Sequence, residues 1–251
     1  MATMQQSNQS THYFFAGLKL IFQPGMRRFV FIPLTLNIIL FSVMIYYSIG
    51  FIDSQISNFI AWLPEFLSFL SWLIWPIALI LMCLLVFFSF SLIANFIAAP
   101  FNGFLSEAVE KHTRQQQGLP VSETPLDWKE LSLLIPRTLS RELRKLGYIV
   151  PRWLLLVILT FIPVINFIAP IVWLIWGAWM MAVQYADFPA DNNKVPFPAL
   201  LNKLKQRKSM TYSFGGLVYL MTLIPFVNLL VIPAAVAGGT ILWVNEKLYE
   251  Q

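Results

Sequence analysis

Two consecutive arginines, Arg27 and Arg28, follow a Gln23-Pro24-Gly25-Met26 break and lead straight into a long apolar run. That arrangement suits one kind of chemistry. Pro24 and Gly25 interrupt the amphipathic stretch that begins at Gly17, so a new helix starts beside the arginines. The first turn of a helix presents N–H groups without intrahelical partners and favours an anion. Two guanidiniums add planar forks that match the edges of a tetrahedral oxyanion. A dianion that gives up hydration needs several such donors at once. The residues alone leave a second reading open, in which Arg27 and Arg28 are basic anchors that bind lipid phosphate.

Catalysis is poorly provided for, and no catalytic residue is assigned. The two histidines, His12 and His112, lie about a hundred residues apart, and the single cysteine, Cys83, sits inside an apolar run. No His, Cys or carboxylate set has metal-ligand spacing, so neither a metal nor another cofactor is expected. Neither a Gly-x-Ser-x-Gly elbow nor a Walker phosphate loop occurs, so the chain is not expected to be an enzyme or to use ATP itself.

Composition names the solvent. Of 251 residues, 58% are hydrophobic and 12% charged, about half the charge that a soluble domain spreads over its surface. Lipid must therefore face much of the chain. The net charge of +5 fits the basic excess of cytoplasmic membrane-protein segments, and nucleic acid is not expected as a partner. Residues 1–11 are polar and uncharged and lack the pattern of a cleaved signal. The first apolar run is then expected to serve as its own insertion signal.

The elements that position the arginines follow from apolar runs and breakers. Residues 29–51 carry no charge and are long enough for one transmembrane helix. A short polar loop, 52–65, is expected next. Residues 66–101 form a second apolar run, long enough to project beyond the bilayer, with Pro76 as a possible kink. Residues 102–147 read as cytoplasmic and interfacial helices. In them Glu107 precedes Lys111, and Glu110 precedes Arg114, by one helical turn. Further on, Leu134, Ile135 and Leu139 oppose Arg137, Arg141, Arg144 and Lys145, as on a helix at the headgroups.

The last two apolar regions, 148–186 and 214–244, repeat a turn. Thr160-Phe-Ile-Pro163-Val-Ile-Asn166 aligns with Thr222-Leu-Ile-Pro225-Phe-Val-Asn228. The arm before each turn is roughly a dozen residues, too short to span. Each region could be one kinked span, or a hairpin that enters and leaves by the same face. Charge decides: all 17 Lys and Arg lie outside 52–65, and they flank both regions on both sides. Single spans would put the lysines of 187–211 outside, whereas hairpins keep every basic segment cytoplasmic. The expected fold is an all-α membrane protein with two long transmembrane helices, two re-entrant hairpins and amphipathic interfacial helices. Hairpin turns at Pro163, Asn166, Pro225 and Asn228 need shelter by protein or a wet cavity, and paired interrupted segments point to a permeation path.

Three stretches carry a resemblance: Gly17-Leu-Lys-Leu-Ile21 with Gln23-Pro-Gly-Met-Arg-Arg-Phe29; Ile97-Ala-Ala-Pro-Phe-Asn-Gly103 with Leu105-Ser-Glu107; and the proline hairpins. Together they resemble the CysZ family of bacterial inner-membrane sulfate transporters, over nearly the whole chain. The resemblance implies import of sulfate for cysteine synthesis, with sulfite or related oxyanions as possible further substrates. It implies the same two long helices and two half-penetrating hairpins. It implies an anion site at Arg27, Arg28 and the Gly17–Leu18 backbone, and it offers Glu107 for gating or helix packing. Two spans enclose a pore poorly, so a homo-oligomer in the inner membrane, with cytoplasmic termini, is expected. The alternative is a non-transporting membrane scaffold or regulator that binds anionic lipid through its basic face.

Overall fold

The computed structural model describes residues 2–62, 71–121, 128–224 and 227–249. All regular structure among them is helical: α1 Ala2–Leu20, α2 Arg28–Trp62, α3 Ser71–Gln116, α4 Trp128–Thr160, α5 Ala169–Asn192, α6 Phe197–Gln206, α7 Lys208–Thr222 and α8 Asn228–Asn245. The chain forms two compact units, Arg28–Phe101 and Met1–Arg27 with Asn102–Gln251.

The Arg28–Phe101 unit holds α2 and the first part of α3. Much of its described apolar surface is uncovered: Ile38, Phe41, Tyr46, Ile49, Ile80, Leu81, Phe87 and Phe88 are all exposed, while Val30 is buried. Phe41 and Phe90 meet at a ring separation of 4.7 Å. Helices with this much uncovered apolar surface belong in lipid. The stretch expected as a loop is helical as far as Trp62, and residues 63–70 lie outside the described ones. No Gly or Pro occurs from residue 51 to residue 62, so nothing stops the helix, and Pro64 is the first breaker. α3 likewise runs without interruption through Pro76 and Pro100 into the polar residues after 101.

The second unit is a helical assembly built on small residues. α1 packs on α7 and α8, and α5 packs on α6, α7 and α8. A Cβ on Gly215 of α7 would lie 1.9 Å from the Ala178 carbonyl oxygen of α5, and one on Gly239 of α8 would lie 2.8 Å from that of Tyr185. Glycine is required at such approaches because backbone cannot yield. These contacts also fix direction. Gly177 meets Tyr219 and Ala182 meets Gly215, so α5 and α7 run antiparallel. Tyr185 also meets Gly239, which brings α8 against α5. The turn joining α4 to α5 and the turn joining α7 to α8 therefore lie at the same end of the unit.

The amphipathic stretch and the first arm of hairpin one form a single helix, α4, continuous through Gly147 and Pro151. Part of its basic face differs from the expectation of a helix turned toward headgroups, while Arg144 is exposed and the side chain of Arg137 lies outside the described ones. Arg141 and Lys145 face α5, where Asp187 is buried with them. Among the described residues three stretches are long and apolar enough to cross a membrane: Arg28–Phe51, Ala169–Asn192 and Asn228–Asn245, while Trp75–Phe90 is shorter.

Candidate functional site

The segment that carries the arginines leaves α1 at Leu20. α1 is antiparallel to α8, since Tyr13 bonds Glu246 while Gly17 lies against Ala234 and Gly238. Its C-terminus therefore points toward the end where the hairpin turns lie. The Ile21 amide donates to the Gly17 carbonyl at 3.1 Å, and the Gln23 amide to that of Leu20 at 3.0 Å. Gly25 follows with φ of +92°, a left-handed conformation that glycine adopts without penalty. The amides of Met26 and Arg27 both donate to the Gln23 carbonyl, at 3.1 and 3.2 Å. Arg28 then opens α2, whose first-turn amides follow directly. Arg27 and Arg28 are both exposed, and the Arg28 guanidinium sits 4.8 Å from the Phe29 ring centroid.

Gly17 has a packing role that motif reading did not anticipate. It is buried in α1, and a Cβ there would lie 2.4 Å from the Gly238 nitrogen and 2.5 Å from the Ala234 oxygen. Leu18 beside it is half-buried. Glu107 is exposed on α3. One turn on, Glu110 is the buried carboxylate, bonded to Arg114 at 2.8 Å and accepting from Asn193 Nδ2 at 2.7 Å. The i,i+4 pairing of Glu110 with Arg114 is thus present, and Arg114 also lies over the Tyr249 ring at 4.3 Å.

The repeated turns share a backbone bond. The Asn166 amide donates to the Ile162 carbonyl at 3.1 Å, and the Asn228 amide to that of Ile224 at 3.2 Å. The first closes a loop around Pro163. Pro163 and Asn166 are exposed, as is Asn228; Pro225 lies outside the described residues. Val164, after Pro163, has φ of 73°, a costly conformation for a β-branched residue. Around it Phe161, Val164 and Phe167 are 81%, 77% and 83% exposed. An apolar tip this bare has no aqueous rationale.

Sequence reading also missed an ion cluster that ties α4 to α5. Arg141 donates through Nε and Nη2 to Asp187 Oδ1 at 2.9 and 2.6 Å, and through Nη1 to the Val195 carbonyl at 2.7 Å. Lys145 Nζ meets Asp187 Oδ2 at 2.9 Å and Glu142 at 2.6 Å. The available signal was spacing: Arg141 and Lys145, like Asp187 and Asp191, are one helical turn apart. Nearby, Ser106 of α3 and Thr240 of α8 share a buried hydroxyl bond of 2.9 Å. On α1, Tyr13 donates to Glu246 at 2.9 Å, and Arg207 also pairs with Glu246. Burial, then the bond to this carboxylate, push the Tyr13 hydroxyl up to about 12.

Comparison with known proteins bears on this arrangement. Residues 13–233 match the family described as sulfate transporter CysZ/etoposide-induced protein 2.4. The chain belongs to that family. A sulfate transporter CysZ of Pseudomonas syringae is 51% identical over 94% of this chain and 91% of its own length. One from Pseudomonas aeruginosa is 47% identical over 94% of both. One from Vibrio cholerae is 45% identical over 97% of this chain and 96% of its own. The family match runs from Tyr13 on α1 to Pro233 on α8, so it takes in the arginine segment, both repeated turns and Asp187. CysZ membership thus agrees with the resemblance drawn from the motifs.

Proposed function

We propose that this protein is a sulfate permease of the bacterial inner membrane, supplying sulfate for cysteine synthesis, and that it acts as a channel or facilitator rather than an enzyme. One observation carries the reading: near-full-length relatives named as sulfate transporters share 45–51% identity with it. In this reading sulfate is gathered by Arg27 and Arg28 with the amides that open α2, the Gly17–Leu18 backbone lying at the preceding helix end. Glu107 and the turns at Pro163, Asn166, Pro225 and Asn228 are placed along the path or its gate.

The hairpins are read as half-penetrating, despite the length of α5 and α8. What lipid meets is the exposed part. α5 is bare at Ile171, Leu174 and Ile175, but Ala178, Trp179, Ala182 and Val183 are buried. α8 is bare at Leu229 and Ile232 and buried from Pro233 to Val244. From Ala169 to Trp176 the largely exposed part of α5 is about 11 Å long, well under half of a ~30 Å hydrocarbon core. Two turns at one end of one unit therefore enter from the same face, with the basic segments and both termini on the cytoplasmic side. Few helices per chain cross fully, so copies associate around the path as a homo-oligomer.

A dianion moved inward against the potential costs about 2.3 kcal/mol per charge per 100 mV, roughly twice that in all. Import then follows a sulfate gradient or intracellular consumption. Uptake of labelled sulfate by liposomes holding the purified protein tests the activity. Counterflow above that of empty liposomes is expected, and its absence from monodisperse protein overturns the proposal.

A further inference from the structure

A groove of about 370 Å³ opens between α4, α5, α6 and α7. Its lining is graded. At the base, remote from the hairpin turn, stand Arg152, Lys205 and Lys208. Among the described lining residues none is acidic. Toward the turn the walls become aliphatic, with Leu155 and Leu156 of α4 facing Val172 and Ile175 of α5.

The basic end is built around one aromatic ring. The Arg152 guanidinium lies 3.8 Å from the Tyr148 ring centroid, and its Nη1 donates to the Tyr148 carbonyl at 2.7 Å. The Tyr148 hydroxyl accepts from Trp179 Nε1 at 3.0 Å, and the Trp176 ring stacks on that of Tyr148 at 6.1 Å. These contacts fix the guanidinium while engaging one of its five N–H groups. Lys205 and Lys208 are exposed beside it. The grading matches an amphiphile. At ~30 Å³ per water the groove holds about a dozen waters, far more than one tetrahedral anion fills. An aromatic and cationic base with an aliphatic continuation is how proteins meet the headgroup level of a bilayer.

We propose that this groove binds one anionic glycerophospholipid, with its phosphate at Arg152, Lys205 and Lys208 and an acyl chain along Leu155, Leu156, Val172 and Ile175. The site rests on the reading above that the hairpin turns enter the bilayer, because that direction sets which end of the lipid lies where. Bound there, the lipid links both hairpins through α4, α5 and α7 and holds them at the membrane face.

The test uses the full-length protein in detergent. Native mass spectrometry follows titration with palmitoyl-oleoyl phosphatidylglycerol and with the phosphatidylcholine of the same chains. The wild type is expected to hold one phosphatidylglycerol per chain at least tenfold more tightly than the phosphatidylcholine. Lys205→Gln/Lys208→Gln removes two exposed charges without touching the core and is expected to weaken phosphatidylglycerol roughly thirtyfold. Lys19→Gln/Arg144→Gln, with equal loss of charge outside the groove, is expected to keep it. Equal affinity for both lipids, equal loss in the control pair, or displacement by millimolar inorganic phosphate overturns the proposal. Lipid retention is read without transport, so failure of sulfate uptake and failure of the groove are separate results.

Discussion

Gly17→Ala sets two known effects against each other. Alanine raises helix propensity by about 1 kcal/mol over glycine inside α1. Against that, its Cβ would lie 2.4 Å from the Gly238 nitrogen, 2.5 Å from the Ala234 oxygen and 2.8 Å from the Gly238 Cα. All three are backbone atoms of α8, so no rotamer change relieves the overlap. α1 and α8 must part by about 1 Å, and a gap of that size forfeits up to half of each dispersion contact along the seam. Overpacking of a tight interior costs about 1–3 kcal/mol or more. With backbone as the obstacle the upper end applies, and the net loss is about 2 kcal/mol. For a chain of this size that lowers the melting midpoint by about 4–8 °C. The assay is thermal unfolding of the detergent-solubilised protein by intrinsic fluorescence. Gly216→Ala serves as control, because its Cβ would meet only the Ala178 Cβ at 3.8 Å, so the propensity gain dominates. A Gly17→Ala protein as stable as the wild type would refute the reasoning and leave backbone recognition of an anion as the reason for this glycine.

Other predictions concern charge and titration. Asp187→Asn takes the shared carboxylate from Arg141 and Lys145, which keep Asp191 and Glu142, so a loss at the low end, about 3 kcal/mol, is expected, read as a lower yield of monodisperse protein and a lower melting midpoint. Replacing the three together by apolar residues of similar size recovers most of that loss. Tyr13 keeps its proton to about pH 12 in the fold but ionises near 10 when unfolded. The unfolded state therefore holds fewer protons between those values, and stability falls as pH rises from 10 toward 12. Tyr13→Phe lowers stability at neutral pH and shows a shallower alkaline decline; parallel profiles would remove Tyr13 as the cause.

The fold class was legible because lipid imposes a simple code. Uninterrupted apolar runs, the absence of any Lys or Arg from 29 to 110, and the doubled Thr-x-Ile-Pro turn are local features. Helix limits were less legible. Polarity after Phe51 suggested a loop, but a helix stops at a breaker and not at a change of solvent preference, so α2 runs on to Trp62. The same holds at Phe101, where α3 passes from apolar to polar without a break. Partnering was the least legible. Arg141 and Lys145 looked like headgroup anchors because their partner, Asp187, lies more than forty residues away across a hairpin. Gly17 was noticed as part of a motif, yet its close approach to Gly238 depends on a helix more than two hundred residues later. Spacing along α3 shows the pairing of Glu110 with Arg114, while the contact of Glu110 with Asn193 depends on how α5 ends.

The central claim is that Arg27 and Arg28 form a geometric oxyanion site and not a pair of basic anchors. The direct measurement is initial-rate uptake of labelled sulfate by liposomes holding the wild type, Arg27→Ala/Arg28→Ala and Arg27→Lys/Arg28→Lys at matched protein content. Lysine keeps the charge but loses the planar fork. Expected are uptake by the wild type, a loss of tenfold or more in the alanine pair, and a loss nearly as large in the lysine pair. Wild-type rates in the lysine pair would contradict that claim and return both arginines to the role of lipid anchors.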